Sequence, residues 1–160
     1  MTVVAALVAC GSAGSSTTST RCGGIQLGGT FTAIPNSAGA GNIVFRLALQ
    51  NLSSSTCTLT GLPQGGALLG KTGTKLPTHI RNNFPGRVAV LVRLAPGKIA
   101  YANARFSPDV AGTGDNMSGQ CQPKAYWLQV EGLNVKIAPA TPVCERGTLN
   151  FSTYSSVKTS

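Results

Sequence analysis

The sequence predicts an all-β domain, a two-sheet antiparallel β-sandwich of eight to ten short strands with two disulfides. Apolar and polar residues alternate in several segments from Arg21 onward, and turn-forming pairs such as Pro96-Gly97 separate these segments. Alternation places one face of a strand in a core and the other in solvent, and short strands at this spacing are typical of sandwiches. No segment of eleven or more residues has a clean helical period, which argues against a mainly helical fold.

The strands follow from this alternation in chain order. The clearest apolar faces are Ile43 to Leu49 and Val88 to Leu94, where every second residue is a large apolar one. Tyr126 to Val130 and Leu133 to Ile137 repeat the pattern on either side of the turn pair Glu131-Gly132. The predicted strands cover about 24–33, 42–51, 57–62, 66–70, 77–82, 87–94, 98–106, 125–131, 133–138 and 147–154.

Strand direction suggests how four of the five cysteines pair. If 24–33 runs up and 42–51 returns, Cys22 and Cys57 lie at the same end of the sandwich. The hairpin of 125–131 and 133–138 brings Cys121 and Cys144 to one end in the same way. We therefore predict Cys22–Cys57 and Cys121–Cys144 among three possible connectivities, with free thiols as the alternative. Disulfides indicate an oxidising compartment.

Composition narrows the partners of the protein. The chain has 160 residues, which favours one domain, and 42% of them are apolar, which suffices for a core. Thirteen Lys and Arg stand against 4 acids, giving a net charge of +9, but no basic residues form a run and only 6% are aromatic. Single-stranded nucleic acid is bound by aromatic residues interleaved with basic ones. We therefore predict no nucleic-acid partner and assign the charge to solubility and attraction to an anionic envelope.

The N-terminus carries the most specific local signal. Residues 1–9 contain a short apolar run, too short to span a bilayer as a helix, that resembles the end of a secretory signal peptide. Leu7-Val8-Ala9-Cys10 looks like the bacterial lipobox, in which a diacylglyceryl group is added to the thiol and cleavage follows just before the cysteine. We predict lipidation of Cys10, with membrane lipid as a partner. Because no Lys or Arg precedes the run, we expect residues 1–9 to be only part of the signal peptide.

Two alternatives for Cys10 stay open. It is an incidental residue in an ordinary secretory signal, or a buried free cysteine on a first strand. Residues 11–20 are small or hydroxylated and have nothing to bury, so they would form a flexible coil with a mean span of roughly 17 Å. We therefore predict a lipidated tether over 10–20 and a folded domain over 21–156, outside the cytoplasmic membrane. Without lipidation at Cys10 the protein would be secreted.

The folded part resembles a known family. The segment Thr56-Cys57-Thr58-Leu59-Thr60-Gly61-Leu62-Pro63 carries most of the resemblance, together with Leu94-Ala95-Pro96-Gly97-Lys98 and with Cys144 ahead of Gly147-Thr148-Leu149. These residues look like the actinobacterial, mycobacterial-type envelope-lipoprotein domain of unknown function, number 4232 in that series, over roughly residues 21–155. The resemblance implies an Ig-like β-sandwich, secretion and frequent lipidation. It implies no reaction.

No group of residues in the sequence points to catalysis. His79 is the single histidine, with no acid within twenty-five residues, so we expect it at the surface or on a strand edge. Asp109 and Asp115 lie in one long loop, but a metal site needs several ligands together. We therefore predict no catalytic residue, no metal and no cofactor.

The first functional hypothesis is a monomeric, non-catalytic binding or structural module of the cell envelope. Its partner would be an envelope protein, lipid or glycan that contacts loops 71–86 and 107–120. One alternative is a cell-wall hydrolase in which His79 meets a carboxylate and a nucleophile. The other is an accessory or chaperone-like module whose sheet edge accepts a partner strand.

Overall fold

The computed structural model describes residues 20–83, 86, 88–116 and 119–159. These residues form eleven strands, and the protein is mostly β, as the sequence predicts. A 3₁₀ turn, Gly24–Gln26, precedes the first strand, and a four-residue turn, Cys144–Gly147, precedes the last. The strands are β1 (Leu27–Ala33), β2 (Ile43–Asn51), β3 (Cys57–Leu59), β4 (Ala67–Leu69), β5 (Lys75–Leu76), β6 (His79–Asn82), β7 (Val92–Leu94), β8 (Ile99–Phe106), β9 (Ala125–Val130), β10 (Leu133–Thr141) and β11 (Thr148–Phe151).

Nine of the strands in the described residues form one main sheet, in the order β5-β4-β9-β10-β1-β2-β8-β11-β6, and β3 and β7 form a separate pair. Most neighbours are antiparallel, but β1 pairs with β10 and β11 with β6 in parallel. The main sheet is therefore mixed, and it curls into a half-barrel. The prediction that all strands are antiparallel is wrong at these two pairs, because alternation within a strand does not specify the direction of a neighbour that is distant in sequence.

The concave side of the main sheet holds a core rich in phenylalanine. Phe31, Phe45, Phe106 and Phe151 are buried, and the ring centroids of Phe31–Phe45 and Phe45–Phe106 lie 5.2 Å apart. The register of β2 and β8 pairs each large core residue of β2 with an alanine of β8. These pairs are Phe45 with Ala104, Leu47 with Ala102 and Leu49 with Ala100. A small residue opposite each large one leaves room inside the curl for side chains from other strands.

Two disulfides attach outer segments to this framework. The Cα atoms of Cys22 and Cys57 lie 5.0 Å apart, and their bond attaches the segment before β1 to β3. Cys121 and Cys144 join the loop after β8 to the turn before β11, with Cα atoms 4.7 Å apart. These are the two pairs that strand direction favours. Two disulfides indicate an extracytoplasmic protein.

Several elements differ from the predicted strands, among them β3, which was predicted over 57–62 and ends at Leu59. Residues 24–26 form a 3₁₀ turn instead of strand, Gly24 has a left-handed φ of +53°, and the short strand β5 was not predicted. The strand predicted over 87–94 is reduced to β7, Val92–Leu94. This last difference leaves the apolar residues of 88–91 exposed at the surface.

The disulfide at the N-terminal side should contribute strongly to stability. The double variant Cys22→Ser, Cys57→Ser should lower the free energy of unfolding by about 2–4 kcal/mol, because the unfolded chain gains freedom when this loop is opened. Urea unfolding of the oxidised variant and the oxidised wild type measures the difference. Unfolding midpoints that coincide would contradict the prediction.

Candidate functional site

The segment before β7 exposes apolar side chains. Residues 88–91, Val-Ala-Val-Leu, form no strand. The exposed fractions are 87% for Val88, 64% for Val90 and 51% for Leu91. Single exposed apolar residues are ordinary, but a run of them marks an interaction site or an aggregation risk. We call residues 88–91 the apolar segment.

The apolar segment lacks a strand partner because β3 leaves too early. Leu59 pairs with Val92, so a longer β3 would place residues 60–63 opposite 91–88. Instead Gly61 has a φ of +71°, and its carbonyl accepts a hydrogen bond from the Tyr154 N–H at 3.0 Å. Pro63 has no N–H to donate to a ladder. The apolar segment therefore makes no hydrogen bond within the part of the chain that the structure describes.

The other edge of β7 is open. The N–H and C=O of Thr58 bond to Thr20 and Cys22, on the side of β3 that faces away from β7. Hydrogen bonding alternates along an antiparallel pair, so Arg93, opposite Thr58, turns its backbone groups away from β3. Leu91 does the same if the strand is continued backward. No strand lies on that side of β7 among the described residues.

The C-terminal segment 153–156 forms the opposite wall of a groove. Tyr101 of β8 and Ser155 exchange two backbone hydrogen bonds of 2.8 and 2.9 Å, which hold this segment beside β8. A cavity of about 340 Å³ lies between residues 153–156 and residues 88–93. A second cavity of about 590 Å³ is lined by residues 93–95, 97–99, Tyr101 and Ser156. The two cavities share Arg93 and Ser156 and so lie end to end, and together we call them the β7 groove.

The β7 groove changes character along its length. One end carries the exposed side chains of Val88, Val90 and Leu91, the other carries Lys98, and Arg93 lies where the two cavities meet. Neither cation forms a salt bridge within the described residues, where the ion pair is Arg21 with Glu131. The groove thus places an apolar surface next to two uncompensated positive charges.

A buried carboxylate fixes the wall that Tyr154 forms. Only 3% of the Glu131 side chain is exposed, and its Oε1 accepts hydrogen bonds from the Tyr154 hydroxyl at 3.1 Å and the Gln64 N–H at 3.0 Å. The Arg21 guanidinium donates to both oxygens, at 2.8 and 3.2 Å. Burial, together with the nearby Glu131 carboxylate, raises the pKa of the Tyr154 hydroxyl well above its usual range. Tyr154 therefore stays protonated and donates to Glu131.

Turn geometry positions Glu131 for this role. Glu131 and Gly132 have φ values of +48° and +78° and join β9 to β10. Two successive positive φ angles are typical of the tight type I′ hairpin turn. The Glu131 backbone is also tied on both sides, since its N–H donates to Gln64 at 2.9 Å and its carbonyl accepts from Gly24 at 2.7 Å.

The two loops that were predicted as a contact surface do meet. Pro77 from loop 71–86 and Gln120 from loop 107–120 line one cavity of about 550 Å³. Asp115 lies there, and its carboxylate accepts the N–H groups of Gly112, Glu145 and Arg146 at 2.9, 2.7 and 3.0 Å. These hydrogen bonds hold the pKa of Asp115 below its usual value.

Asp115 therefore has a structural role. Glu145 and Arg146 have left-handed φ values of +53° and +55°, and the Asp115 carboxylate stabilises this turn. One oxygen of Asp115 and the sulfurs of Cys121 and Cys144 lie within 4.8 Å of one another. Because the two sulfurs form a disulfide, they are not thiolate ligands for a metal.

His79 lies on the exposed edge strand β6, the kind of position predicted for it. It lines a cavity of about 350 Å³ together with Glu145, Thr113 and Thr148. No hydrogen bond joins His79 to Glu145 in the described residues. A general base acts through a hydrogen-bonded nucleophile. The cavity thus places a histidine and a carboxylate at one surface without a hydrogen bond between them. Asp109 is exposed and does not line this cavity.

Cys10 and residues 1–9 lie outside the described residues, so the lipidation site stays a prediction. The described chain begins at Thr20, whose carbonyl accepts the Thr58 N–H at 2.9 Å. Within the described ranges, no helix has the length and apolar character needed to cross a membrane.

The main features of this site were not predicted from the sequence. Glu131 was predicted only as part of a turn, and residues 88–91 were predicted as part of a strand. One signal for Glu131 was available, since a chain with 4 acids keeps one of them in a tight turn between two apolar strands. The contact of Glu131 with Arg21, 110 residues away, has no local signal.

Comparison with known proteins identifies the family. The family model described as Domain of unknown function (DUF4232) matches residues 22–147, so the chain belongs to that family and the resemblance seen in the sequence is confirmed. No curated protein and no solved structure matches the chain.

Tyr154 should give the protein an alkaline limit of stability. Its pKa is raised above the model-compound value of 10.0, so above about pH 10 the unfolded chain loses this proton while the folded chain keeps it, and stability falls by up to about 1.4 kcal/mol per pH unit. Tyr154→Phe should be less stable than wild type at pH 8 through its lost hydrogen bond, and the difference should shrink at pH 11.

Urea unfolding at the two pH values measures this difference for Tyr154→Phe. Tyr126→Phe, a change on half-exposed Tyr126, serves as the control. A stability difference between wild type and Tyr154→Phe that is the same at both pH values would show that the hydroxyl is not held protonated by the fold.

Proposed function

We propose that this DUF4232 protein is a cell-envelope lipoprotein, anchored through Cys10, that works outside the cytoplasmic membrane as a non-catalytic binding module. The observation that carries this proposal is the β7 groove, with its exposed apolar segment beside Arg93 and Lys98. A contiguous apolar surface rimmed by charge is typical of interaction sites. The two disulfides support a location in an oxidising compartment.

We also keep the Ig-like sandwich as a proposal for the layering of the domain. The β3–β7 pair supports it as a small second sheet, because its buried residues Leu59, Val92 and Leu94 join the same core as the main sheet. In this interpretation the second sheet has two strands in the described residues. That small size is the reason that β7 ends the sheet with an open edge.

The tether would hold the groove near the membrane. Arg21 forms a bridge to Thr58 of β3, and β7 lies on the other side of β3. Neighbouring strands are about 4.8 Å apart, so β7 lies about 10 Å from the point where the tether would enter the domain. A partner at or near the membrane surface would therefore reach the groove.

The cell-wall hydrolase remains the second candidate, because His79 and Glu145 line one cavity. Binding is the better-supported proposal for a geometric reason. Glu145 belongs to the left-handed turn that Asp115 stabilises, and His79 has no hydrogen bond to it in the described part of the chain. The carboxylate at this surface is thus explained by the turn, whereas the apolar segment is exposed and has no hydrogen-bonding partner among the described residues.

Lipid anchoring can be tested directly at Cys10. Wild type expressed in an actinobacterial host should fractionate with membranes and incorporate a radiolabelled fatty acid. Cys10→Ala should lose both properties, because the thiol is the proposed acceptor, while Ser12→Ala should keep them. A Cys10→Ala protein that remains in the membrane fraction would rule out the anchor.

Binding through the groove can be tested on intact cells. A photo-crosslinking amino acid at Val90 should give a discrete crosslinked product, and the same amino acid at Val110, an exposed valine in loop 107–120, should not. The product should weaken when Arg93→Gln and Lys98→Gln are added to the Val90 protein. Equal products from both positions would count against the β7 groove as the binding surface.

A further inference from the structure

We propose that the β7 groove binds an extended polypeptide segment with apolar and acidic residues, which adds as a strand to the open edge of β7. This inference rests on the proposed function, since it names the partner of the same groove. The apolar side chains of the partner would cover Val88 and Val90, which share one face when residues 88–93 are extended. Its carboxylates would lie at Arg93 and Lys98.

The backbone of β7 indicates a polypeptide as the occupant. Arg93 directs its N–H and C=O to a side of β7 that holds no strand in the described residues, and Leu91 would do the same if β7 were continued backward. An added strand satisfies both donors and acceptors, and an exposed sheet edge is the usual site for such addition. An acyl chain satisfies neither kind of group. Residues 88–93 extended would span about 20 Å, enough to pair with a segment of six residues.

The positive charge of the groove indicates that the partner is negatively charged. Arg93 and Lys98 have no ion pair within the described residues, and the chain carries a net charge of +9. An acidic segment would neutralise the two cations and would be attracted over a distance before contact. A basic segment would be repelled by the same field.

The same charges disfavour the occupants that the chain itself could supply. In a dimer formed edge to edge through β7, two copies of charge +9 would approach, with Arg93 of each near the shared edge. Like charges across paired strands are destabilising. Residues 11–19 hold no acid and no large apolar side chain, and residues 1–9 hold no acid for Arg93 and Lys98.

A designed peptide tests the strand addition. A fluorescein-labelled peptide of nine residues that alternates valine and glutamate should bind the purified full chain saturably in a fluorescence-anisotropy titration at low salt. Two further peptides carry N-methyl groups on all valines or on all glutamates. Because one of these sets faces β7, at least one of the two methylated peptides should bind at least tenfold more weakly, with its side chains unchanged.

Matched variants test the two ends of the groove. Arg93→Gln with Lys98→Gln should weaken binding of the valine–glutamate peptide at least tenfold, whereas Lys71→Gln with Lys75→Gln removes the same charge from another exposed site and should change binding less than threefold. Val88→Ser with Val90→Ser should weaken binding at least fivefold. Ile25→Ser with Val110→Ser, two other exposed apolar residues, is its control.

Three results would overturn the inference. In the first, both methylated peptides bind as well as the parent. In the second, a valine–lysine peptide binds as well as the valine–glutamate peptide. In the third, vesicles of phosphatidylglycerol bind through Arg93 and Lys98 while the peptide does not. A crosslinked partner at Val90 together with any of these results would retain the proposed function and remove the inference alone, whereas peptide binding with no crosslinked partner on cells would count against the proposed function alone.

Discussion

The buried carboxylate of Glu131 is the interaction on which the arrangement of the domain depends. It accepts hydrogen bonds from three segments that are far apart in the chain, through Arg21, the Gln64 N–H and Tyr154. A buried carboxylate without partners is costly, and these contacts offset the cost of keeping it inside. In return, one group sets the relative positions of the segment before β1, the loop after β3 and the C-terminal segment. A network of this kind stabilises one arrangement rather than several.

The same network accounts for the unpaired apolar segment before β7. The Tyr154 hydroxyl donates a hydrogen bond to Glu131, and the Tyr154 N–H donates one to the Gly61 carbonyl. Gly61 is the point at which β3 turns away, so residues 88–91 are left without the partner that a longer β3 would give them. Stability at the Glu131 network and exposure at the apolar segment are therefore two effects of one set of contacts. The exposure of the apolar segment is a built feature of the fold, because pairing it with a longer β3 would break the Gly61–Tyr154 hydrogen bond.

Local sequence patterns predicted most of the strands but not how they are combined. β2 and β8 were predicted because every second residue is apolar. They form as predicted because each has a hydrogen-bonded neighbour on both sides. Residues 88–91 show the same alternation, yet they form no strand, because a strand also requires a hydrogen-bonding partner and here Gly61 removes it. The parallel pairs of β1 with β10 and of β6 with β11 join distant segments, and the Glu131 network does the same. Neither leaves a periodic signal along the chain, so neither could be predicted from one sequence.

An apolar open edge is also a risk of self-association, and the charges beside it address that risk. Natural sheets protect exposed edges with charged residues, since an edge that meets its own copy then brings like charges together. Arg93 and Lys98 lie next to the apolar segment and have no ion pair in the described residues. With a net charge of +9 on each copy, edge-to-edge pairing is opposed at short range by these two residues and at long range by the whole molecule. A partner with acidic residues would meet the opposite sign in both respects, so the two cations that protect the edge would also favour an acidic partner over a basic one.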